Sequence, residues 1–170
     1  MKIILKPIGG IDSHLLEELK LRLTGIFGCP VEIDDAIAIP EQAYNRKRSQ
    51  YLAPAILDIL KQYNINPEEW TLGVIDVDLY APELNFIFGQ AEPAAGTAII
   101  SLYRLRQELP PDPALFLSRA VKEAVHETGH IFGLGHCPKI KCVMHFSNSL
   151  HDTDIKETAF CSQCQPKLIQ

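Results

Sequence analysis

The sequence has no excess of positive charge and no long uncharged segment, and these two absences narrow the functions to consider. Its 170 residues include 16 lysines and arginines against 21 aspartates and glutamates, which gives a net charge of −5. Nucleic-acid binding requires a basic surface that neutralises phosphates, so we expect no nucleic-acid partner. The longest stretch without a charge falls well short of the roughly 18 residues that a membrane span requires, so we expect no membrane segment.

We also expect no signal peptide, and the sequence shows no internal repeat or low-complexity segment. The apolar start of the chain is interrupted at once by Lys6 and Pro7, which suits a short buried strand better than a secretion signal. We therefore predict a cytoplasmic protein. Hydrophobic residues make up 46% of the chain and charged residues 22%, as in globular proteins, and 170 residues suffice for one domain.

Apolar runs alternate with amphipathic stretches before the proline-rich segment near residue 110. The pattern predicts strands at residues 2–7, 31–39, 70–77, 84–88 and 97–102. It predicts helices from Asp12 to Gly28, over residues 51–63, and from Asp112 to Gly133. This order indicates an α/β (mixed α+β) fold with a mostly parallel sheet. No helix fits between the last three strands, so we expect the middle one, near 84–91, to run antiparallel at the sheet edge.

The last predicted helix carries two histidines four residues apart, in a His-Glu-x-x-His run that starts at His126. Residues at i and i+4 lie on one helix face, so His126 and His130 can bind one zinc ion. Gly133 can take a positive φ and end the helix, which lets the chain turn back and present His136 as the third ligand. Three protein ligands leave a position open for water, as in catalytic zinc sites, and Glu127 lies where it can act as general base.

Four of the five cysteines lie in the last 34 residues, with the spacing Cys-x4-Cys-x18-Cys-x2-Cys. Two close pairs separated by a loop are typical of a structural zinc site. We therefore predict a second zinc ion, so two per chain, bound by Cys137, Cys142, Cys161 and Cys164. Two disulfides and unligated thiols are the alternatives. We interpret Cys29 as a small buried apolar residue.

The segment after Gly135 has few apolar residues, so we expect metal binding rather than packing to hold it. We predict a single domain over residues 1–170. Its N-terminal subdomain covers about 1–133, and its C-terminal subdomain covers about 134–170. The zinc ion bound by the cysteines is expected to hold the C-terminal subdomain together.

The eleven-residue histidine motif, followed by a methionine at position 144, resembles the metzincin clan of zinc peptidases. The cysteines on either side of the methionine make the chain similar, more closely, to the archaemetzincins. This resemblance implies that the three histidines bind the catalytic zinc, that Glu127 is the base and that Met144 is the Met-turn residue, an apolar floor under the metal. It also implies the four-cysteine site. The family's fold is a twisted five-stranded mixed sheet packed on helices, and its antiparallel edge strand pairs with extended peptide.

The leading hypothesis is therefore a zinc-dependent peptidase with a peptide or protein substrate. One alternative is a non-catalytic zinc protein that binds a peptide or a partner in the same groove. The other is a metal-dependent endoribonuclease, a class that shares the histidine spacing but lacks both Glu127 and the cysteine cluster. The sequence leaves the oligomeric state, the side-chain preference and the choice between endo- and exopeptidase open.

Three further groups are predicted to have no part in the site. We interpret Arg46, Lys47 and Arg48 as a solvated lead-in to the second helix rather than as a phosphate contact. His145 and His151 are expected not to bind metal, because three histidines already complete a catalytic zinc site.

Overall fold

The computed structural model describes residues 1–64, 66–106 and 109–169, which form two sheets and four α-helices. The strands are β1 (Lys2–Ile8), β2 (Val31–Ile33), β3 (Tyr44–Asn45), β4 (Gln50–Leu52), β5 (Glu69–Ile75), β6 (Leu79–Tyr80), β7 (Gly89–Glu92) and β8 (Thr97–Ser101). The helices are α1 (Ser13–Phe27), α2 (Ala53–Leu60), α3 (Pro113–Ile131) and α4 (Leu150–Ile155). None of the described helices is long and apolar enough to cross a bilayer.

The large sheet has five strands in the order β2-β1-β5-β8-β7. Four of them are parallel, and β7 runs antiparallel to β8 at one edge, so the predicted mixed sheet with one antiparallel edge strand is confirmed. Successive side chains of a strand point to opposite faces. Accordingly Ala98 and Ile100 join the core with α1 and α3, whereas Ile99 joins the core with α2.

Local signals fix the ends of the two long helices as predicted. The carboxylate of Asp12 accepts the amide of His14 (3.1 Å), and Gly28 ends α1 with φ +66°. The carboxylate of Asp112 accepts the amides of Ala114 and Leu115, each at 3.0 Å, at the start of α3. These caps satisfy backbone donors that have no partner within the helix.

The strand predicted at residues 84–88 is wrong in position. The antiparallel strand is β7, and the apolar segment before it makes only an isolated bridge between Ile87 and Leu79. Small and polar residues form β7 because β8 offers an unpaired edge there, so sheet pairing overrides their weak strand propensity. The apolar side chains of 84–88 instead line a cleft that is described below.

Two other predicted elements are shorter than expected. The strand at 31–39 ends at Ile33, because the carboxylate of Asp34 turns to the buried Lys6 amine (2.7 Å). The helix at 51–63 begins only at Ala53, because the preceding three residues form β4. That strand belongs to a small sheet, β3-β4-β6, which the sequence pattern did not predict. The run from Arg46 to Arg48 is therefore the turn between β3 and β4 and not a helix lead-in.

Two ion pairs, one of them fully buried, help to hold the segment after α3, in addition to the metal that was predicted there. The guanidinium of Arg119 binds the carboxylate of Asp154 with two bonds of 2.7 Å. The amine of Lys156, which is fully buried, donates to the carboxylate of Glu123 (3.1 Å). Both pairs fasten α4 and the residue after it to α3.

Candidate metal centre and active site

Three histidine side chains converge at the end of α3. The Nε2 atoms of His126 and His130 lie 3.0 Å apart, one helical turn from each other. Gly133 has φ +85°, and the turn that it permits brings the ring of His136 to within 5.4 Å and 4.9 Å of the other two ring centroids. One nitrogen from each ring lies within 4.8 Å of the others, so the three residues can hold one metal ion.

The tautomers of the first two histidines suit a cation. Nδ1 of His126 lies 2.7 Å from the carbonyl of Val143, and Nδ1 of His130 lies 2.7 Å from the carbonyl of Leu134. A carbonyl oxygen can only accept, so each Nδ1 carries the proton and each Nε2 presents a lone pair. Two lone pairs 3.0 Å apart repel unless a cation lies between them. This arrangement, in which a backbone group orients the imidazole, is common among metal-binding histidines.

Burial also keeps these imidazoles neutral. It lowers the pKa of His126 well below its ordinary value, and it lowers the pKa of His130 and of His136. The positive charge of Lys156 lowers the pKa of all three further. Neutral imidazole is the form that binds metal, so the site is ready to bind at neutral pH.

Glu127 is buried beside the histidines, against the edge strand. A Cβ atom at Gly89 would lie 2.6 Å from Cγ of Glu127 and 2.7 Å from its Oε1, so only glycine leaves room for the carboxylate there. Burial, followed by the negative charge of Glu123, raises the pKa of Glu127 well above its ordinary value. A carboxylate with a raised pKa is a stronger base than an exposed one.

Met144 lies under the histidine turn of α3. Its side chain is fully buried, and a Cβ atom at Gly129 would lie only 2.5 Å from its Sδ. Its carbonyl accepts the amide of Cys137 (2.9 Å), which ties the methionine to the residue after His136. Met144 thus packs directly against the helical turn that carries His126 and His130, the position that a Met-turn residue would need.

The four C-terminal cysteines form a second cluster. One Sγ atom from each of Cys137, Cys142, Cys161 and Cys164 lies within 4.8 Å of the others. The Sγ atoms of Cys137 and Cys161 lie 3.8 Å apart, well beyond the roughly 2.05 Å of a disulfide bond, and all four cysteines are free thiols. The amide of Cys161 donates to Sγ of Cys142 (3.4 Å). A backbone hydrogen bond at Gln163 lowers the pKa of Cys161 to about 6, whereas burial raises the pKa of Cys142 and of Cys164. Cys161 is therefore the member of the cluster that most readily forms the thiolate that zinc binds.

A cleft of about 680 Å³ opens over the histidines and Glu127. One side of it is residues 81–88, which we call the cleft wall, and β7 continues that side. The carbonyl of Phe88 accepts the amide of Ser101 (2.7 Å). Because bonded and non-bonded pairs alternate along an antiparallel ladder, the backbone groups of Gly89 and Ala91 point away from β8.

Several residues that matter for this geometry were not predicted. Gly89 had a signal, because a glycine inside a strand often marks a close approach of another group. Glu123 lies four residues before Glu127 on the same helix face, which is also visible in the sequence. No local pattern indicated Lys156 or Val143.

The two other histidines near the site have no part in the metal-binding groups. His145 donates from Nδ1 to the carbonyl of Cys137 (2.9 Å). Neither His145 nor His151 belongs to a metal-binding group in the described residues.

Comparisons with known proteins agree with this geometry. The model of peptidase family M54 matches residues 17–170. The archaemetzincin of Pyrococcus furiosus is 47% identical over 98% of this chain and 91% of its own length. The crystal structure of archaemetzincin from Archaeoglobus fulgidus, complexed with malonate, has a TM-score of 0.87 at 41% identity and covers 98% of this chain and 99% of that one. A zinc-dependent peptidase from Methanocorpusculum labreanum has a TM-score of 0.89 at 30% identity, with the same coverage.

Proposed function

The chain belongs to the archaemetzincins of peptidase family M54, and on this premise we propose that it hydrolyses peptide bonds with Glu127 as general base. The zinc would be held by His126, His130 and His136. The observation that carries the proposal is the convergence of three imidazoles beside a buried carboxylate at the floor of an open cleft. The family is one of zinc metallopeptidases, whose substrates are peptides or proteins.

When bound, zinc supplies a Lewis acid that lowers the pKa of a water molecule to roughly 7 and polarises the scissile carbonyl. Glu127 accepts the proton of that water and passes it to the leaving amine. Its raised pKa supports the first step, and the space that Gly89 leaves keeps the carboxylate free to move the proton.

The extended substrate is proposed to pair with the free edge of β7. The backbone groups of Gly89 and Ala91 point away from β8 and have the spacing that another strand requires. The two sides of the cleft come from the two proposed subdomains, about 1–133 and about 134–170. Glu127 and the cleft wall belong to the first, and His136 and Phe146 belong to the second.

A second zinc ion is proposed at the four cysteines, with a structural role. Four sulfur ligands fill a tetrahedral site and leave no position for water. The sulfur separations and the unpaired thiols support this proposal over the two-disulfide alternative.

Glu127→Gln tests the proposed role of the base. The amide has the size of the carboxylate but cannot take a proton, so we expect both zinc ions to be retained and hydrolysis of a diverse peptide library to fall by at least about 100-fold. Glu17→Gln, on the exposed side of α1, is the matched control. Loss of zinc from the variant would make Glu127 a ligand instead. A wild-type protein that bound library peptides without cleaving them would support the non-catalytic alternative.

A further inference from the structure

The turn between β3 and β4 contacts the cleft wall through Arg48, which does not itself line the cleft. Nη2 of Arg48 donates to two successive carbonyls of the wall, those of Leu84 (2.9 Å) and Asn85 (3.0 Å). Nε of the same guanidinium donates to Oε1 of Gln50 (2.9 Å), and the group stacks 4.3 Å from the ring centroid of Tyr80. The Arg48 side chain therefore makes two contacts with the cleft wall and two with residues of the small sheet.

Two neighbouring residues extend this connection. The amide of the buried Gln50 donates to the carbonyl of Asn85 (2.8 Å) and to the carboxylate of Asp78 (3.1 Å). Asp78 in turn accepts two bonds, of 2.6 and 2.7 Å, from Arg104. The guanidinium of Arg104 lies 4.3 Å from the ring centroid of Phe86, whose side chain lines the cleft. The contacts run without a gap from the small sheet to the cleft surface.

The cleft wall has little regular structure of its own to hold it. Its backbone hydrogen bonds include one from the amide of Leu84 to the carbonyl of Ala81 (3.1 Å) and one from the amide of Ile87 to the carbonyl of Leu79 (3.0 Å). Glu83 has φ +67°, a conformation that a residue with a side chain seldom adopts. A segment with few internal bonds depends on its surroundings for order.

We propose that Arg48 is a positioning residue that fixes the cleft wall in the shape that accepts substrate. The expected effect on KM rests on the proposed function, whereas the expected effect on the order of the cleft wall does not. Arg48 touches neither the histidines nor Glu127, so its loss leaves the chemical groups in place. In a variant that lacks Arg48, the cleft wall is ordered in only a fraction of the molecules, and only those molecules bind substrate. The apparent affinity for substrate is then the affinity of the ordered form multiplied by that fraction.

The test compares Arg48→Ala and Arg48→Lys with Arg46→Ala and Lys47→Ala, which alter exposed residues of the same turn. The substrate is an internally quenched peptide with phenylalanine and leucine on either side of the scissile bond. We expect Arg48→Ala to raise KM by roughly 10-fold with kcat within about twofold of wild type. Lysine keeps the charge but lacks the planar fork, so Arg48→Lys should resemble Arg48→Ala, whereas both control variants should resemble wild type.

Amide hydrogen exchange of the peptide that covers 81–88 is measured on the same zinc-loaded proteins. Faster exchange of the Leu84 and Ile87 amides in both Arg48 variants, and in neither control, supports the proposal that Arg48 fixes the cleft wall. Three results would overturn the proposal. They are a wild-type exchange rate in Arg48→Ala, a wild-type exchange rate or KM in Arg48→Lys, and a fall in kcat of Arg48→Ala with KM unchanged. If the wild-type protein cleaves no peptide, the proposed function fails, and the exchange experiment alone still decides whether Arg48 holds the wall.

Discussion

Breaking the cysteine site should weaken the histidine site, although no cysteine belongs to it. Cys137 follows His136 directly and donates its amide to the carbonyl of Met144 (2.9 Å). The next carbonyl back, that of Val143, accepts Nδ1 of His126 (2.7 Å). The segment from 137 to 144 therefore orients two of the three histidines, and the cysteine cluster holds that segment from the far side.

Cys164→Ser is the perturbation of choice, because this cysteine lies farthest along the chain from the histidines. A structural zinc carries folding free energy on the order of 10 kcal/mol in small domains, so its loss should free the C-terminal segment locally. The ion pairs of Arg119 and Lys156 limit the opening. Removal of groups that orient metal ligands lowers metal affinity by roughly 10-fold to 100-fold, and we expect the lower value here, about 1.4 kcal/mol.

The assay has three parts. Elemental analysis should return two zinc ions per chain for wild type and one for Cys164→Ser. Competition with a chromophoric chelator should show the remaining zinc bound about 10-fold more weakly, and limited proteolysis should cut within 137–170. Cys29→Ser is the matched control, because Cys29 lies outside the cluster. A variant that lost one zinc but held the other with wild-type affinity would show that the two sites are independent and refute this reasoning.

Two further predictions concern groups around Glu127. Gly89→Ala places a Cβ 2.6 Å from Cγ of Glu127 and 2.8 Å from a backbone carbonyl oxygen, so hydrolysis should fall by about 100-fold with zinc content unchanged. Gly10→Ala is the control, because a Cβ at Gly10 meets no atom within 4 Å. A Gly89→Ala variant with wild-type activity would contradict the packing argument. Lys156→Met leaves Glu123 buried without its cation and should lower the free energy of unfolding by about 3–5 kcal/mol in urea titrations. Adding Glu123→Leu should recover most of that loss, and a double variant as unstable as Lys156→Met would show that the pair itself is not the cause.

The features predicted from the sequence are those that neighbouring residues determine. Two histidines four residues apart, a capping aspartate and the glycine at the end of a helix each have a local geometry, so their pattern is visible in one stretch of chain. The edge strand was displaced by several residues because an unpaired sheet edge, and not its own composition, decides where β7 forms. Lys156 and Glu123 are 33 residues apart, and nothing in either sequence neighbourhood indicates the partner. Arg48 was misassigned for the same reason, because its acceptors lie 36 and 37 residues away.

The distance along the chain between the groups that build the metal centre has a consequence for biosynthesis. Helix α3 can form with His126 and His130 in place as soon as it leaves the ribosome, since their spacing is local. His136, the carbonyl of Val143 that orients His126, and the proposed cysteine site that supports this segment are complete only at residue 164, and translation adds only about 5–20 residues per second. The nascent chain therefore carries an incomplete centre for a second or more, and a chain that terminates early never completes it. We expect proteolytic competence to be the last property that this protein acquires during its synthesis.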